Sequence, residues 1–243
     1  MKLLFVRHGE PDYVKDSLTQ KGFREAELLA DRLEKLEVRD FYCSPLGRAR
    51  ATAKPTLDRL KREATVYDWL QEFPGRIINE QTGEKNIPWD FMPADWTCKP
   101  NFYDKELWLK EPIMATGDVE KVYRYITDNF DKFLANYGYH RKGNYYLCDK
   151  GNKDTIVIFC HLGVQFAILS HLLGIAAPLL WQGLYVAPTS ITTVVSEERE
   201  EGKVYFRCHS IGDTSHLYVA NEPLSTAGFF EEYYGGPVWK QKN

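Results

Sequence analysis

Cysteine is scarce and unpatterned in this chain. Five are scattered at positions 43, 98, 148, 160 and 208, and no CxxC spacing occurs. An odd number without such spacing points to reduced thiols, and against a disulfide framework or a thiolate metal centre. Charge of one sign is lacking too. The formal net charge is −3, which leaves no basic excess of the kind that binds nucleic acid or anionic membranes. No stretch approaches the roughly 20 apolar residues of a membrane span. Only four apolar residues, Leu3 to Val6, separate Lys2 from Arg7, too few for the core of a signal peptide. The expectation is a soluble, cytoplasmic protein that contacts neither nucleic acid nor membrane. HExxH and HxH spacings and tight Asp/Glu clusters are absent as well, so no metal site and no cofactor are expected. No repeat, low-complexity tract or linker divides the 243 residues, a length that suits a single α/β domain. Oligomeric state leaves no trace in the sequence.

Several apolar runs and helical periods are legible. Leu3–Val6 and Thr155–Cys160 are short apolar runs of the kind found in strands buried on both faces. Asp40–Cys43 reads as a third strand. The spacing of Phe23, Ala26, Ala30, Leu33 and Leu36 predicts a helix over 19–36 with Thr19 as its cap. Ser44-Pro45 reads as the cap and first residue of another helix, which Pro55 is expected to kink or divide. Helices are also predicted over 118–137 and 163–174, and paired strands over 191–196 and 204–208. Residues 74–117 show no period and hold five prolines and six aromatics. So many aromatics argue against disorder, so an ordered lid or insert is expected within about 74–145. Alternating strands and helices predict a three-layer α/β/α sandwich around a mixed, mostly parallel sheet.

Two apolar runs end in the same way. LLFVRHG and IVIFCHLG each lead from a strand into a histidine with a glycine close behind. Ligands in open α/β sheets bind beyond the carboxyl ends of strands. If the two strands are parallel, His8 and His161 share one rim, and Gly9 and Gly163 let backbone come close to a ligand. Arg7 adjoins His8. Arg48 falls in the first helical turn of SPLGRARATA, where a cation opposes the helix dipole unless an anion sits between them. Guanidinium groups present paired donors to phosphate oxygens. Two imidazoles and two guanidiniums around one position suit phosphoryl transfer, one imidazole attacking phosphorus while the other groups hold the charge. Taken singly, each of these residues is more readily a structural histidine or a surface arginine, as Arg50 is read here. Their common placement carries the case.

The same residues resemble a known family. VRHGE at 6–10, LTQKGFREAELLADRL at 18–33, SPLGRARATA at 44–53, FCHLG at 159–163 and GDTSHL at 212–217 are similar, in that order, to the motifs of the histidine phosphatase superfamily, the phosphoglycerate mutase-like proteins. The resemblance implies that His8 is the phosphorylated nucleophile, and that Arg7, Arg48 and His161 bind the phosphoryl oxygens. It aligns Glu72, in WLQEF, with the acid that protonates the leaving oxygen, with Glu80 and Glu84 as alternatives. A carboxyl group of raised pKa is suited to that step. His216 with Asp213, and His171, are read as structural. His140 and His209 carry no signal. Family mutases typically have Ser, Trp and Asn shortly after RHG, and here Glu10, Pro11, Asp12 and Tyr13 follow. The expected activity is hydrolysis of a small phosphomonoester. Cofactor-dependent mutase-type transfer and a non-catalytic phospholigand module are the alternatives. Trp89, Phe91 or Trp96 is a candidate contact to the leaving group, the equal alternative being that these aromatics simply seal a small side core.

Overall fold

A computed structural model describes residues 1–78 and 83–230 of the chain. Eight strands form one mixed sheet. In chain order they are β1 (Lys2–Arg7), β2 (Asp40–Cys43), β3 (Thr65–Val66), β4 (Tyr139–Lys142), β5 (Tyr145–Cys148), β6 (Thr155–Cys160), β7 (Ile191–Glu200) and β8 (Lys203–Asp213). Their order across the sheet is β3-β2-β6-β1-β7-β8-β5-β4. Pairing is parallel from β3 through β1 and antiparallel from β1 through β4. The parallel reading therefore describes the half of the sheet that holds the two histidine strands. The antiparallel half includes the β4–β5 hairpin, whose short, charged edge strand has no apolar run to reveal it.

Alternation along the central strands supplies two cores. Leu3, Phe5, Ile156 and Ile158 face one side, where Ile126 and Phe130 of α3 (Val119–Ala135) and Val164 and Ile168 of α4 (Leu162–Leu173) pack on them. Leu4, Val6, Val157 and Phe159 face the other. They meet Leu29 and Leu33 of α1 (Gln20–Leu33) and Ala49 and Ala53 of α2 (Gly47–Leu60). Helices thus cover both faces, giving the α/β/α sandwich.

Two helices depart from expectation. The buried face of α1 is Gly22, Glu25, Ala26, Leu29, Ala30 and Leu33, while Phe23 and Leu36 are exposed. The helix is rotated because its first turn packs on the loop after His8, where a Cβ on Gly22 would come within 2.3 Å of the Glu10 carbonyl oxygen. α2 is capped at Leu46 rather than Ser44 and runs through Pro55 undivided. Ala51, whose carbonyl the proline ring deprives of a partner, is partly exposed. The segment 74–117 is ordered as short helical turns at Pro93–Thr97, Pro100–Tyr103, Trp108–Lys110 and Pro112–Ala115. Phe102 and Trp108 in it are fully buried in the main core, and Trp89, Phe91 and Trp96 pack against that core. The 119–135 part of the expected insert is the core-packed helix α3. Among the described residues, no helix is long and apolar enough to cross a membrane.

Candidate active site

Strand register brings the two histidines together. Arg7 pairs with Cys160 across the parallel β1–β6 ladder, so His8 and His161 each follow the last paired residue of adjacent strands. Their ring centroids are 5.0 Å apart. A third parallel strand, β2, ends one residue before Ser44, and the Ser44 amide bonds the Phe159 carbonyl on β6 at 2.9 Å. Three neighbouring strands thus deliver Ser44, His161 and His8 to one rim, in the switch region where α/β sheets bind ligands. All three residues are buried.

The two imidazoles are wired differently. His8 Nδ1 lies 2.7 Å from the Gly9 carbonyl oxygen. A carbonyl only accepts, so the proton is on Nδ1 and Nε2 carries a free lone pair. Burial, then the charge of Arg7, pushes the His8 pKa down to about 3, which keeps the ring neutral at ordinary pH. His161 Nε2 lies 2.8 Å from Ser44 Oγ. That oxygen accepts from the Leu46 amide at 3.2 Å, and its own proton is satisfied by Nε2. This assignment places the His161 proton on Nδ1, a buried atom with no protein partner. Burial first, then His8 and the arginines, holds the His161 pKa well below its usual value.

Arg7 and Arg48 complete the ring. Arg7 is buried and donates from Nη1 to the Val186 carbonyl and from Nη2 to the Ala227 carbonyl. Arg48, in the first turn of α2, donates from Nη1 to Asp16 Oδ1 at 2.7 Å, and Asp16 Oδ2 accepts from the Gly47 amide at 2.6 Å. The anion expected between this helix start and Arg48 is thus supplied in part by the chain's own Asp16. Each guanidinium keeps a buried Nε with no protein partner. Three buried donors, Arg7 Nε, Arg48 Nε and His161 Nδ1, therefore belong to the residues around the free lone pair of His8. Orphaned buried donors are rare in proteins, and they suit an anion with several oxygens.

Glu72 sits beside this group. Its Oε1 accepts from the amides of Phe73 (2.9 Å), Gly163 (2.9 Å) and Val164 (3.2 Å). The free amides at the start of α4 are thus taken up by the Glu72 carboxyl. With Oε1 committed to three donors, Oε2 is left to carry a proton. Burial raises the Glu72 pKa against those amides and the two arginines. Gly163 has no Cβ because one would lie 2.7 Å from Glu72 Oε1 and 2.4 Å from Trp89. Gly9 serves packing rather than a ligand: a Cβ there would reach the Gly22 carbonyl oxygen of α1 at 2.8 Å. Glu84 is exposed, and Glu80 lies outside the described residues.

The other histidines are placed elsewhere. His216 Nε2 lies 3.2 Å from Thr189 Oγ1, while Asp213 pairs with Arg32 on α1. His171 meets Asp131 at 2.9 Å, and His140 and His209 are exposed beside Asp149 and Glu197. Arg50 is exposed. Sequence reading missed Ser44 as a partner of His161, Asp16 as a partner of Arg48, and the closing segment 222–229. In that segment Ser225 donates to Glu10 Oε2 (2.7 Å), and the Ala227 carbonyl accepts from Tyr185 (3.0 Å) as well as from Arg7. Only Ser44 had a usable signal: it ends an apolar strand, as the two histidines do.

Known proteins share parts of this sequence and its fold. The family model described as histidine phosphatase superfamily (branch 1) matches residues 3–108. A protein of Schizosaccharomyces pombe named a probable phosphatase is 24% identical over 232 residues, covering 89% of this chain and 95% of that one. A 2,3-bisphosphoglycerate-dependent phosphoglycerate mutase of Thermoplasma acidophilum is 34% identical over 94 residues, covering 32% of this chain and 47% of the mutase. Among solved structures, a phosphoserine phosphatase mutant of Entamoeba histolytica in complex with phosphoserine shares the fold. Its TM-score is 0.57 at 21% identity, with 89% of this chain and 98% of that chain covered. The matched segment, under half of the chain, holds Arg7, His8, Arg48 and Glu72, and His161 directly follows the strand beside them; in this segment and in its fold the chain is similar to the histidine phosphatase superfamily.

Proposed function

We propose that the protein hydrolyses small phosphomonoesters through a phosphohistidine at His8. The observation that carries this reading is the set of buried donors without partners, Arg7 Nε, Arg48 Nε and His161 Nδ1, around a neutral imidazole whose Nε2 is free. In the first step Nε2 attacks phosphorus and the ester P–O bond breaks. Glu72 gives its proton to the departing oxygen, which leaves as the alcohol. In the second step water attacks phosphorus, the Glu72 carboxylate takes the water's proton, and the N–P bond breaks. Inorganic phosphate leaves and His8 returns to its neutral form. The arginines and His161 hold the three equatorial oxygens as charge spreads over them.

Mutase-type transfer would use the same first step and a hydroxyl acceptor in the second. The residues after Gly9 speak against it. Glu10 is tied to Thr19 and Ser225, and Pro11–Asp12 turns into a short ladder with Ser17–Leu18. The presence of His8, Arg7, Arg48 and Glu72 together speaks against a purely binding role. The test is inorganic phosphate release from a panel of phosphomonoesters in EDTA, for the wild type and His8→Ala. Release by the wild type alone is expected. Equal release by both would remove His8 from the mechanism.

A further inference from the structure

Both arginines of the site, and the acid beside them, have an aromatic ring nearby. Tyr185 lies 5.4 Å from the Arg7 guanidinium and stacks on Phe229 at 4.2 Å. Tyr13, 68% exposed, lies 5.5 Å from the Arg48 guanidinium. Trp89 presses its ring edge onto Gly163 next to Glu72. Glu72 marks the side on which the alcohol departs, so Trp89 borders the leaving-group position. It is held there firmly. Phe73 and Trp181 pack on its ring at 6.2 and 5.4 Å, and Gln182 Nε2 donates to its carbonyl at 2.9 Å. Phe91 and Trp96 pack instead on Phe102 and Tyr103. The insert therefore sends one of its three candidate aromatics to the site.

Charge narrows the choice further. Arg7 and Arg48, on the reading above, are both committed to the phosphoryl group. The adjoining anion seat, formed by the start of α2 and Arg48 Nη1, is filled by Asp16. A substrate with a second anionic group would find this seat taken and would face the Asp16 charge. Aromatic walls offer ring-to-ring contact and no cation of their own. We infer that the leaving-group subsite selects a phosphomonoester of an uncharged alcohol bearing a planar ring, with Trp89 as the ring contact and Asp16 excluding a second anion. This inference rests on the hydrolase reading above.

The test compares kcat/KM for ethyl phosphate, 2-phenylethyl phosphate and 3-phosphoglycerate. The first two are primary alkyl esters of similar intrinsic reactivity, so their ratio reports contact with the ring. The wild type should favour 2-phenylethyl over ethyl phosphate by about tenfold, mainly through KM. Trp89→Leu should erase that ratio, and Trp89→Phe should retain most of it. Asp16→Asn should raise 3-phosphoglycerate relative to ethyl phosphate by about tenfold. A wild-type ratio near one, a wild-type preference for 3-phosphoglycerate, or a ratio indifferent to Trp89→Leu in a folded variant would overturn the inference while leaving the hydrolase reading intact. No release from any ester would overturn both.

Discussion

His8 and His161 end adjacent parallel strands, both are buried, and both are held far below the usual imidazole pKa. They differ in which nitrogen the protein occupies. His8 gives its Nδ1 proton to a backbone carbonyl and keeps Nε2 as a base. His161 has Nε2 engaged by the Ser44 hydroxyl, which leaves Nδ1 as the donor. On the proposed mechanism, the same side chain at equivalent places would serve as a nucleophile in one case and as an electrophilic donor in the other. The far-side hydrogen bond decides which.

Variants at the two positions should differ accordingly. His8→Ala should abolish turnover, by about 10,000-fold or more in kcat, because no other group can take the phosphoryl. A residual rate within tenfold of wild type would break the contrast. His161→Ala removes one oxyanion donor and should cost about 100- to 1,000-fold in kcat while leaving the covalent step on His8 detectable. Glu72→Gln should cost about 100-fold for esters of poor leaving groups. It should also change the pH profile. His8 must be unprotonated, so kcat/KM falls as pH drops through about 3. Glu72 must be protonated for bond cleavage, so activity falls as pH rises through its raised pKa, above the ordinary 4.5. The Gln variant should lose that alkaline limb, and an unchanged limb would assign the acid elsewhere. Ser44→Ala should have the smallest effect, about tenfold in kcat with His8 phosphorylation preserved, because it frees the His161 tautomer without removing the ring.

Much of this site was legible because its residues follow apolar strands. A buried run ending in a histidine with a glycine close behind names both the strand and the group at its tip, and two such runs in one α/β chain belong on one rim. What escaped notice depends on tertiary contact. Asp16 reaches Arg48 from a loop 32 residues upstream, and Ser44 reaches His161 across 117 residues. The face of α1 was misjudged because Glu25 is buried to accept the Glu10 amide at 2.8 Å, and no hydrophobic period can register a buried carboxylate. The 74–117 segment gave up its order through its aromatics but not its division of roles. Phe102 and Trp108 fill the core whereas Trp89 reaches the site, and composition alone cannot separate them.

The most direct test is to mix enzyme with a rapidly turned-over phosphomonoester, quench under alkaline conditions that preserve phosphoramidates, and map the phosphorylated peptide by mass spectrometry. Expected is a single phosphoryl group on His8 in the wild type and in His161→Ala, and none in His8→Ala. A wild type that releases phosphate with no phosphoryl group on His8, or with the group on another residue, would contradict the phosphohistidine mechanism.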